Sequence, residues 1–284
     1  MILKERRADI GKFEVGRVLP AREKRQVGPF VFIDHMGPTE ISKGRYMDVD
    51  QHPHIGLSTL TYLFEGEIEH RDSIGEIQRI QPGDAGFMTA GSGVTHTERT
   101  PEERRDGRIY PVHGYQIWIA LPKEREEMEA RFDYYPAASL PRFSHQHLDI
   151  KLIAGDAFGQ SSPLKGHSSL FMLMLAVKES TTLNLSDHLS GELGILVVEG
   201  SVQSVSEIAN EGEMLVCESQ EAKEINFRKG STLMLIGGKA FPEPRYLLWN
   251  FVSSDRQRLQ KAKIEWQERK FPRVPGDDTY VPFD

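Results

Sequence analysis

The stretches that decide the fold are residues 50–70, DQHPHIGLSTLTYLFEGEIEH, and residues 82–98, PGDAGFMTAGSGVTHTE. Residues 59–64 are rich in β-branched and aromatic side chains, and the turn candidate Glu65-Gly66 follows them. The second stretch opens with a Pro-Gly-Asp turn and continues with a short apolar segment before a Gly-rich loop. This pattern predicts short antiparallel strands joined by tight turns.

Four side chains in these stretches have the spacing of a metal site. Side chains at i and i+2 of a strand leave the same face, so His52 and His54 point one way, and His96 and Glu98 likewise share a direction. If the two strands are neighbours, three imidazoles and one carboxylate surround a single divalent first-row metal. This donor set favours Fe(II), and Zn, Ni, Mn or Cu would also bind to it.

Charge and cysteine content exclude several classes of protein. The chain of 284 residues carries 35 Lys and Arg against 42 Asp and Glu, a net charge of −7. No cluster of basic side chains could neutralise a row of phosphates, so we expect no direct nucleic-acid binding. Cys217 is the single cysteine, no long apolar segment opens the chain, and no run of about 18 apolar residues occurs. We therefore expect a cytoplasmic protein without membrane insertion.

The length predicts two domains, because 284 residues is about twice the usual domain size. Residues 123–130 are highly charged with little apolar face and indicate a connector, which two prolines extend. We predict an N-terminal metal-binding domain at residues 1–135 and a C-terminal domain without a complete metal site at residues 136–284. The boundary falls between residues 122 and 145.

The second half repeats the plan of the first. Residues 195–202, ILVVEGSV, resemble residues 61–68, TYLFEGEI, at an offset of 134 residues. At this offset only one of the four candidate ligands keeps its type: His52, His54, His96 and Glu98 correspond to Ser186, His188, Gly230 and Thr232. One imidazole does not hold a metal, so we expect the chemistry in the first domain.

Near the end of the chain, residues 254–270 place apolar side chains at helical spacing, with Asp255 as a candidate N-cap. We predict one short C-terminal helix there, and Trp266 is expected to anchor it in a core rather than to contact a cofactor. The tail after the helix contains three prolines and is expected to lie extended over the surface.

The remaining histidines have simpler interpretations. His145 and His147 repeat the i, i+2 spacing but have no carboxylate or strand pattern to complete a site, so we expect a surface pair. His35, His70 and His113 lie in or beside predicted strands. Each could line the pocket or hydrogen-bond to a metal ligand, but core or surface placement is favoured for all three.

As a set, these motifs resemble the pirin family of the cupin superfamily. The matching segments are His52-Pro53-His54, residues 61–71, Pro82-Gly83-Asp84, Met88-Thr89-Ala90-Gly91 and residues 93–98, with further matches at 29–38 and 115–122 and looser ones at 250–254 and 274–277. The resemblance implies an all-β bicupin, that is, two cupin-type antiparallel β-barrels with a short C-terminal helix and one metal in the N-terminal barrel.

For the site, the resemblance implies the same four ligands, His52, His54, His96 and Glu98. Family members include eukaryotic transcription co-regulators with iron and bacterial proteins that cleave quercetin with dioxygen. We therefore expect a metal-dependent dioxygenase of the quercetin 2,3-dioxygenase type, acting on a flavonol-like substrate and dioxygen, with Glu98 as general base. The alternative is a metal- or redox-dependent regulatory protein that binds a protein partner without catalysis. A structural bicupin with an opportunistic metal is a third, which the retention of all four ligands disfavours.

This chain departs from the family pattern at two places. Ile55-Gly56-Leu57-Ser58 stands where the family usually continues with Gly-Phe-Glu, and Phe87 stands where Trp precedes Met-Thr-Ala-Gly. We expect both changes to alter the walls of the pocket, with the smaller Phe87 enlarging it.

Overall fold

The computed structural model describes residues 1–10 and 13–283, which form two compact units. The histidine unit comprises residues 7–10, 13–16, 34–137 and 242–283. The second unit comprises residues 1–6, 17–33 and 138–241.

The regular structure of the described residues comprises twenty-five strands, one α-helix and five short 3₁₀ turns. The first twelve strands are β1 (Ile2–Lys4), β2 (Arg6–Asp9), β3 (Glu14–Leu19), β4 (Phe30–Ile41), β5 (Asp48–His54), β6 (Leu57–Glu65), β7 (Ile68–Asp72), β8 (Ile77–Ile80), β9 (Ala85–Thr89), β10 (Val94–Arg99), β11 (Tyr110–Ala120) and β12 (Arg131–Tyr135). Then follow β13 (Arg142–His145), β14 (Leu148–Ala157), β15 (Gln160–Ser161), β16 (Leu170–Val177), β17 (Thr181–Leu183), β18 (Glu192–Glu199), β19 (Ser201–Gln203), β20 (Ile208–Asn210), β21 (Glu213–Glu218), β22 (Ile225–Phe227), β23 (Thr232–Gly238), β24 (Tyr246–Leu248), β25 (Phe251–Ser253) and α1 (Arg256–Gln267).

Antiparallel sheets build both units. Strands β12-β9-β6-β11-β4-β3-β2 form a seven-stranded sheet, β5-β10-β7-β8 a four-stranded sheet, and β24-β25 a two-stranded sheet. In the second unit, β1-β21-β18-β23-β16-β14-β13, with β15 beside β14, form an eight-stranded sheet, and β17-β22-β19-β20 form a four-stranded one. The predicted all-β class is confirmed, although in the described part of the chain the sheets are open and do not close into barrels as expected.

The turn shared by the two halves has the same backbone conformation in both. Gly66 follows β6 with φ of 87°, and Gly200 follows β18 with φ of 84°. Only glycine adopts this left-handed conformation at no steric cost, which is why each Glu-Gly pair ends its strand with a sharp turn. A Cβ atom at Gly66 would also lie 2.6 Å from the carbonyl oxygen of Pro111.

Inward-facing side chains of the sheets form the cores. In the second unit they come from β14, β16, β18, β21 and β23, including Leu152, Leu173, Ile195 and Leu235. In the histidine unit Leu63, Ile68 and Ile80 pack with Val15 and Val112. Apolar burial of this kind supplies the main favourable term in folding.

The end of the chain belongs to the histidine unit. Ile55, next to the His-Pro-His motif, packs with Phe251, Leu259 and Trp266, and the Ile55 carbonyl accepts a hydrogen bond from the Val252 amide at 3.1 Å. The division into domains at residues 1–135 and 136–284 stays a prediction, and these contacts bring residues 242–283 to the strand that carries His52 and His54.

The C-terminal helix has the predicted features. The Asp255 side chain accepts a hydrogen bond from the Gln257 amide at 2.8 Å, which confirms it as the N-cap of α1. Trp266 is buried in the core of the histidine unit, and its indole N–H donates to the Val281 carbonyl at 2.9 Å. None of the helices in the described ranges combines the length and apolarity needed to cross a bilayer.

The segment predicted as a plain connector holds a buried carboxylate. Residues Lys123–Arg125 form a 3₁₀ turn, and Glu126 directly after it is buried. Glu126 pairs with the buried Arg245 at 3.1 Å and accepts hydrogen bonds from the Ser253 hydroxyl and the Ser254 amide, both at 2.8 Å. A buried charge needs partners, and those of Glu126 are distant in sequence. Local composition therefore did not indicate that Glu126 is buried.

Candidate metal centre

Three of the four predicted ligands meet on two neighbouring strands. Strands β5 and β10 pair antiparallel, with His96 opposite His52 and Val94 opposite His54. One nitrogen from each of His52, His54 and His96 lies within 4.8 Å of the others, and all three residues are buried. The i, i+2 spacing of the motif therefore has the predicted effect, because both histidines of β5 lie on the same face of the sheet as His96.

Backbone carbonyls determine which nitrogen of two of these rings is free to bind a metal. His52 Nδ1 lies 2.8 Å from the Asp50 carbonyl oxygen, and His54 Nδ1 lies 3.0 Å from that of Asn250. A carbonyl can only accept, so each Nδ1 carries the proton and each Nε2 presents a lone pair. His54 Nε2 lies 3.1 Å from His96 Nε2, on the side where the rings converge.

Burial keeps the three imidazoles neutral. It lowers the pKa of His52 to about 4, and it is also the largest cause that lowers the pKa of His54 and His96 well below the ordinary value. The nearby imidazoles add to the effect, because a second positive charge is disfavoured beside the first. Neutral imidazoles with converging lone pairs are the form that binds a divalent metal, so the donor set fits such an ion.

Glu98 lies close to the cluster in sequence but is not part of the three-histidine group. A register shift separates His96 from Glu98 on the β5 side, where Glu98 lies opposite Val49. Its carboxylate is buried, and Oε1 accepts a hydrogen bond from the Thr61 hydroxyl at 3.2 Å. Burial raises its pKa. Its role as fourth ligand stays a prediction.

The same hydroxyl also joins a residue that sequence reasoning did not select. Thr61 Oγ1 lies 2.8 Å from Gln116 Oε1, and Gln116 is directly opposite Thr61 on β11. Two positions along, the Trp118 ring packs edge-on against His54 with centroids 5.0 Å apart. The spacing of two residues between Gln116 and Trp118 on β11 was a signal that they share a face. It does not show that this face meets the site until the neighbouring strand is known.

The expected changes to the pocket wall are wrong, because Ser58 and Phe87 point away from the site. Leu60 is paired with Phe87, and Ser58 with Thr89, across β6 and β9. Paired residues share a face and successive residues alternate, so Ser58 and Phe87 lie on the face opposite to Thr61. They alter the packing behind the sheet instead.

The tail after α1 is hydrogen-bonded to β5, the strand that carries His52 and His54. The buried Gln51 accepts a hydrogen bond from the Val274 amide at 2.7 Å, and its amide group donates to the Thr279 carbonyl at 2.9 Å. The Val281 amide in turn donates to the Gln51 carbonyl at 3.0 Å. The tail therefore stabilises β5, and with it His52 and His54, through the adjacent residue Gln51.

The other histidines singled out from the sequence lie in three places. His35 and His113 contact each other, with 2.9 Å between their Nε2 atoms. Of the predicted surface pair, His147 is exposed, and the half-buried His145 lies on β13 with its ring centroid 4.7 Å from that of His188. His70, for which core or surface placement was favoured over a contact with a ligand, is buried and directly contacts His96 at 3.3 Å between the two Nδ1 atoms.

Comparison with known proteins agrees with this architecture. The Pirin family model matches residues 12–119, and the model of the Pirin C-terminal cupin domain matches residues 171–272. A Pirin-like protein of Caulobacter vibrioides is 42% identical over 270 residues, which cover 94% of this chain and 92% of that protein. A candidate quercetin 2,3-dioxygenase of Pseudomonas aeruginosa is 35% identical over 271 residues, covering 93% of this chain and 82% of that protein.

A solved structure extends the likeness over the entire length. The crystal structure of quercetin 2,3-dioxygenase from Acinetobacter baumannii superimposes with a TM-score of 0.86 at 30% identity, covering 100% of this chain and 96% of that one. Two cupin domains, a cluster of three buried histidines in the first and a match along nearly the whole chain identify the protein as a bicupin of the pirin family.

Proposed function

We propose that the protein is a metal-dependent dioxygenase of the quercetin 2,3-dioxygenase type. The observation that carries the proposal is the convergence of the imidazole nitrogens of His52, His54 and His96 in a buried position. Two relatives that match most of the chain, at 35% and 30% identity, carry the name quercetin 2,3-dioxygenase, one of them as a candidate. We propose one divalent ion in the site, with Fe(II) favoured and Zn, Ni, Mn or Cu as alternatives.

In this proposal the metal would act as a Lewis acid toward the oxygens of a flavonol. Glu98 accepts the proton of the substrate hydroxyl on its carboxylate, which Thr61 holds from the side of Oε1. In the metal-free protein burial raises the pKa of Glu98, so its carboxyl is a stronger base than an exposed one. Trp118 supplies an apolar wall beside His54, against which an aromatic ring of the substrate can pack.

The test uses the full-length protein, stripped of metal and reloaded separately with Fe(II), Ni(II), Mn(II), Cu(II) or Zn(II). Quercetin is bound without oxygen, oxygen is admitted, and oxygen uptake and carbon monoxide release are measured. We expect stoichiometric carbon monoxide with at least one metal and none with the metal-free protein. Absence of turnover with every metal would overturn the proposal for flavonols, and metal-dependent recognition of a protein partner would become the function to examine. The expected cytoplasmic location stays a prediction.

A further inference from the structure

A buried histidine outside the three-histidine cluster connects one member of that cluster to a carboxylate. His70 lies on β7, which pairs with β10 so that His70 is opposite Glu98 and Asp72 is opposite His96. His70 Nδ1 lies 3.3 Å from His96 Nδ1, and His70 Nε2 lies 3.0 Å from Asp72 Oδ2. The three side chains therefore form one line, His96-His70-Asp72, that begins at the metal cluster and leads away from it.

The far end of this line is firmly anchored. Asp72 Oδ1 accepts hydrogen bonds from the backbone amides of Ile74 and Glu76, at 3.1 and 3.0 Å. The side chains of Asp72 and His70 are 0% and 3% exposed, so water does not compete for these bonds. The ring of His70 also stacks on Phe132, with centroids 4.3 Å apart and planes 25° apart. Carboxylate and ring are thus both held in orientation.

The anchored carboxylate determines where each proton lies. A carboxylate oxygen can only accept, so His70 carries a proton on Nε2, and in the neutral ring its other nitrogen, Nδ1, presents a lone pair. That lone pair can only accept from His96, which must then carry its proton on Nδ1. The Nε2 of His96, which faces His54 Nε2 at 3.1 Å, is left with the lone pair that a metal needs.

We propose that His70 and Asp72 are positioning residues that hold His96 in its metal-binding tautomer, an inference that rests on the metal site of the proposed function. They orient the ring of His96 as the carbonyls of Asp50 and Asn250 orient the rings of His52 and His54. All three rings then have their Nδ1 protons engaged, and all three Nε2 atoms are available to one ion. Partners of this kind typically strengthen metal binding and orient the ligand ring.

Asp72→Asn is the sharpest test, because it preserves the shape of the side chain and reverses the direction of the hydrogen bond to His70. The backbone amides of Ile74 and Glu76 require an oxygen at Oδ1, so the new amide nitrogen faces His70 Nε2 and donates to it. His70 must then carry its proton on Nδ1, where it opposes the proton on His96 Nδ1. The replacement of a carboxylate by an amide is known to reverse an imidazole tautomer in this way.

A matched control is Asp84→Asn. Asp84 is also buried and accepts from the backbone amides of Gln81 and Ala137, and its third partner is the Tyr134 hydroxyl rather than a histidine. Loss of a buried carboxylate alone therefore affects both variants. A second test variant, His70→Phe, keeps a ring against Phe132 but removes both hydrogen bonds.

Metal affinity is measured by titrating the stripped proteins with Zn(II) and Ni(II), after circular dichroism has shown that each variant is folded. We expect Asp72→Asn and His70→Phe each to weaken binding by about 10- to 100-fold, and Asp84→Asn to leave it within about threefold. The double variant should lose no more than the worse single variant, because both substitutions interrupt one line. Wild-type affinity in both folded test variants would overturn the proposal.

A second readout separates this proposal from the function on which it rests. Long-range ¹H–¹⁵N spectra of histidine-labelled protein, metal-free and Zn(II)-loaded, report which ring nitrogen carries the proton. We expect His70 to be protonated on Nε2 in both forms, and on Nδ1 in Asp72→Asn. A wild-type protein that binds metal but has His70 protonated on Nδ1 would overturn the proposed line only. Failure of the wild type to bind any metal, with the predicted tautomers present, would overturn the metal function instead.

Discussion

His54 Nδ1 donates a hydrogen bond to the carbonyl oxygen of Asn250 at 3.0 Å, although 196 residues separate the two. The bond directs the Nε2 lone pair of His54 toward His96. Asn250 is held in place because Ile55 and Phe251 form a parallel bridge and pack in one apolar cluster with Trp266. The last part of the chain therefore orients a candidate metal ligand that the first part supplies.

The three-histidine cluster predicts a strong asymmetry between His54 and its counterpart in the second half. His54→Ala removes one of three converging nitrogens, so we expect metal content to fall from about one ion per chain to a small fraction of that. His188→Ala is the matched control, because His188 occupies the corresponding repeat position but lies beside His145 in the second unit. Elemental analysis of both purified variants checks this, and equal losses would contradict the assignment of the site.

Glu98→Gln separates proton transfer from metal retention. The three imidazoles remain, so we expect the metal to stay bound while flavonol turnover falls by about 10²- to 10⁴-fold. Glu65→Gln, at the exposed end of β6, should leave turnover unchanged. Steady-state oxygen uptake together with metal analysis makes the comparison. Full activity in Glu98→Gln would exclude Glu98 as the base.

Glu98→Gln should also change stability. Burial raises the pKa of Glu98, so the folded metal-free protein holds this proton at pH values where the unfolded chain releases it. The wild-type carboxyl therefore costs stability as the pH rises above its ordinary pKa, and the glutamine variant does not carry this cost. We expect the unfolding free energy of the variant, relative to wild type, to increase between pH 4.5 and 7 in urea titrations of metal-free protein. A constant difference across this range would contradict the burial argument.

The neutral histidines predict loss of stability in acid for the metal-free protein. Burial lowers the pKa of His52 from 6.5 to about 4, so between these pH values the unfolded chain binds a proton that the folded protein does not. The unfolding free energy should therefore fall as the pH drops from 6.5 toward 4, by roughly 3 kcal/mol from His52 alone. His54 and His96 act in the same direction.

Urea titrations at pH 7 and pH 5, in the presence of a chelator, measure this dependence. His52→Gln should be less sensitive to pH, because its side chain does not titrate. An identical pH dependence in the variant and the wild type would show that His52 is not the group responsible. Bound metal should reduce the loss, since it binds only the neutral imidazoles of the folded protein.

Gly56 tests the contact that brings the end of the chain to the site. Its φ is 67°, and a Cβ atom there would lie 1.9 Å from the Val252 carbonyl oxygen. Gly44 has a comparable φ of 81° with open space around it, so Gly44→Ala carries the conformational cost without the clash. We expect Gly44→Ala to cost about 1–2 kcal/mol and Gly56→Ala roughly twice that or more. Gly56→Ala should also weaken metal binding, and equal unfolding free energies would contradict the close approach.

The sequence by itself determined the class of fold, the repeated Glu-Gly turn, the cap at Asp255 and the candidate ligands, three of which the structure brings together. Each of these depends on local geometry: the period of a strand, the conformational freedom of glycine, and a side chain that reaches its own helix. Two histidines at i and i+2 share a face in any strand, so their common direction could be predicted before the neighbouring strand was known.

Only the tertiary structure decided what surrounds those ligands. Three features depend on which strands become neighbours. The sheets are open, Ser58 and Phe87 lie on the face opposite to Thr61, and His54 donates a hydrogen bond to the Asn250 carbonyl. The same holds for His70, whose sequence position resembles that of any strand histidine until β7 lies beside β10. Strand pairing joins residues that are far apart in the chain, and no local period specifies the partner.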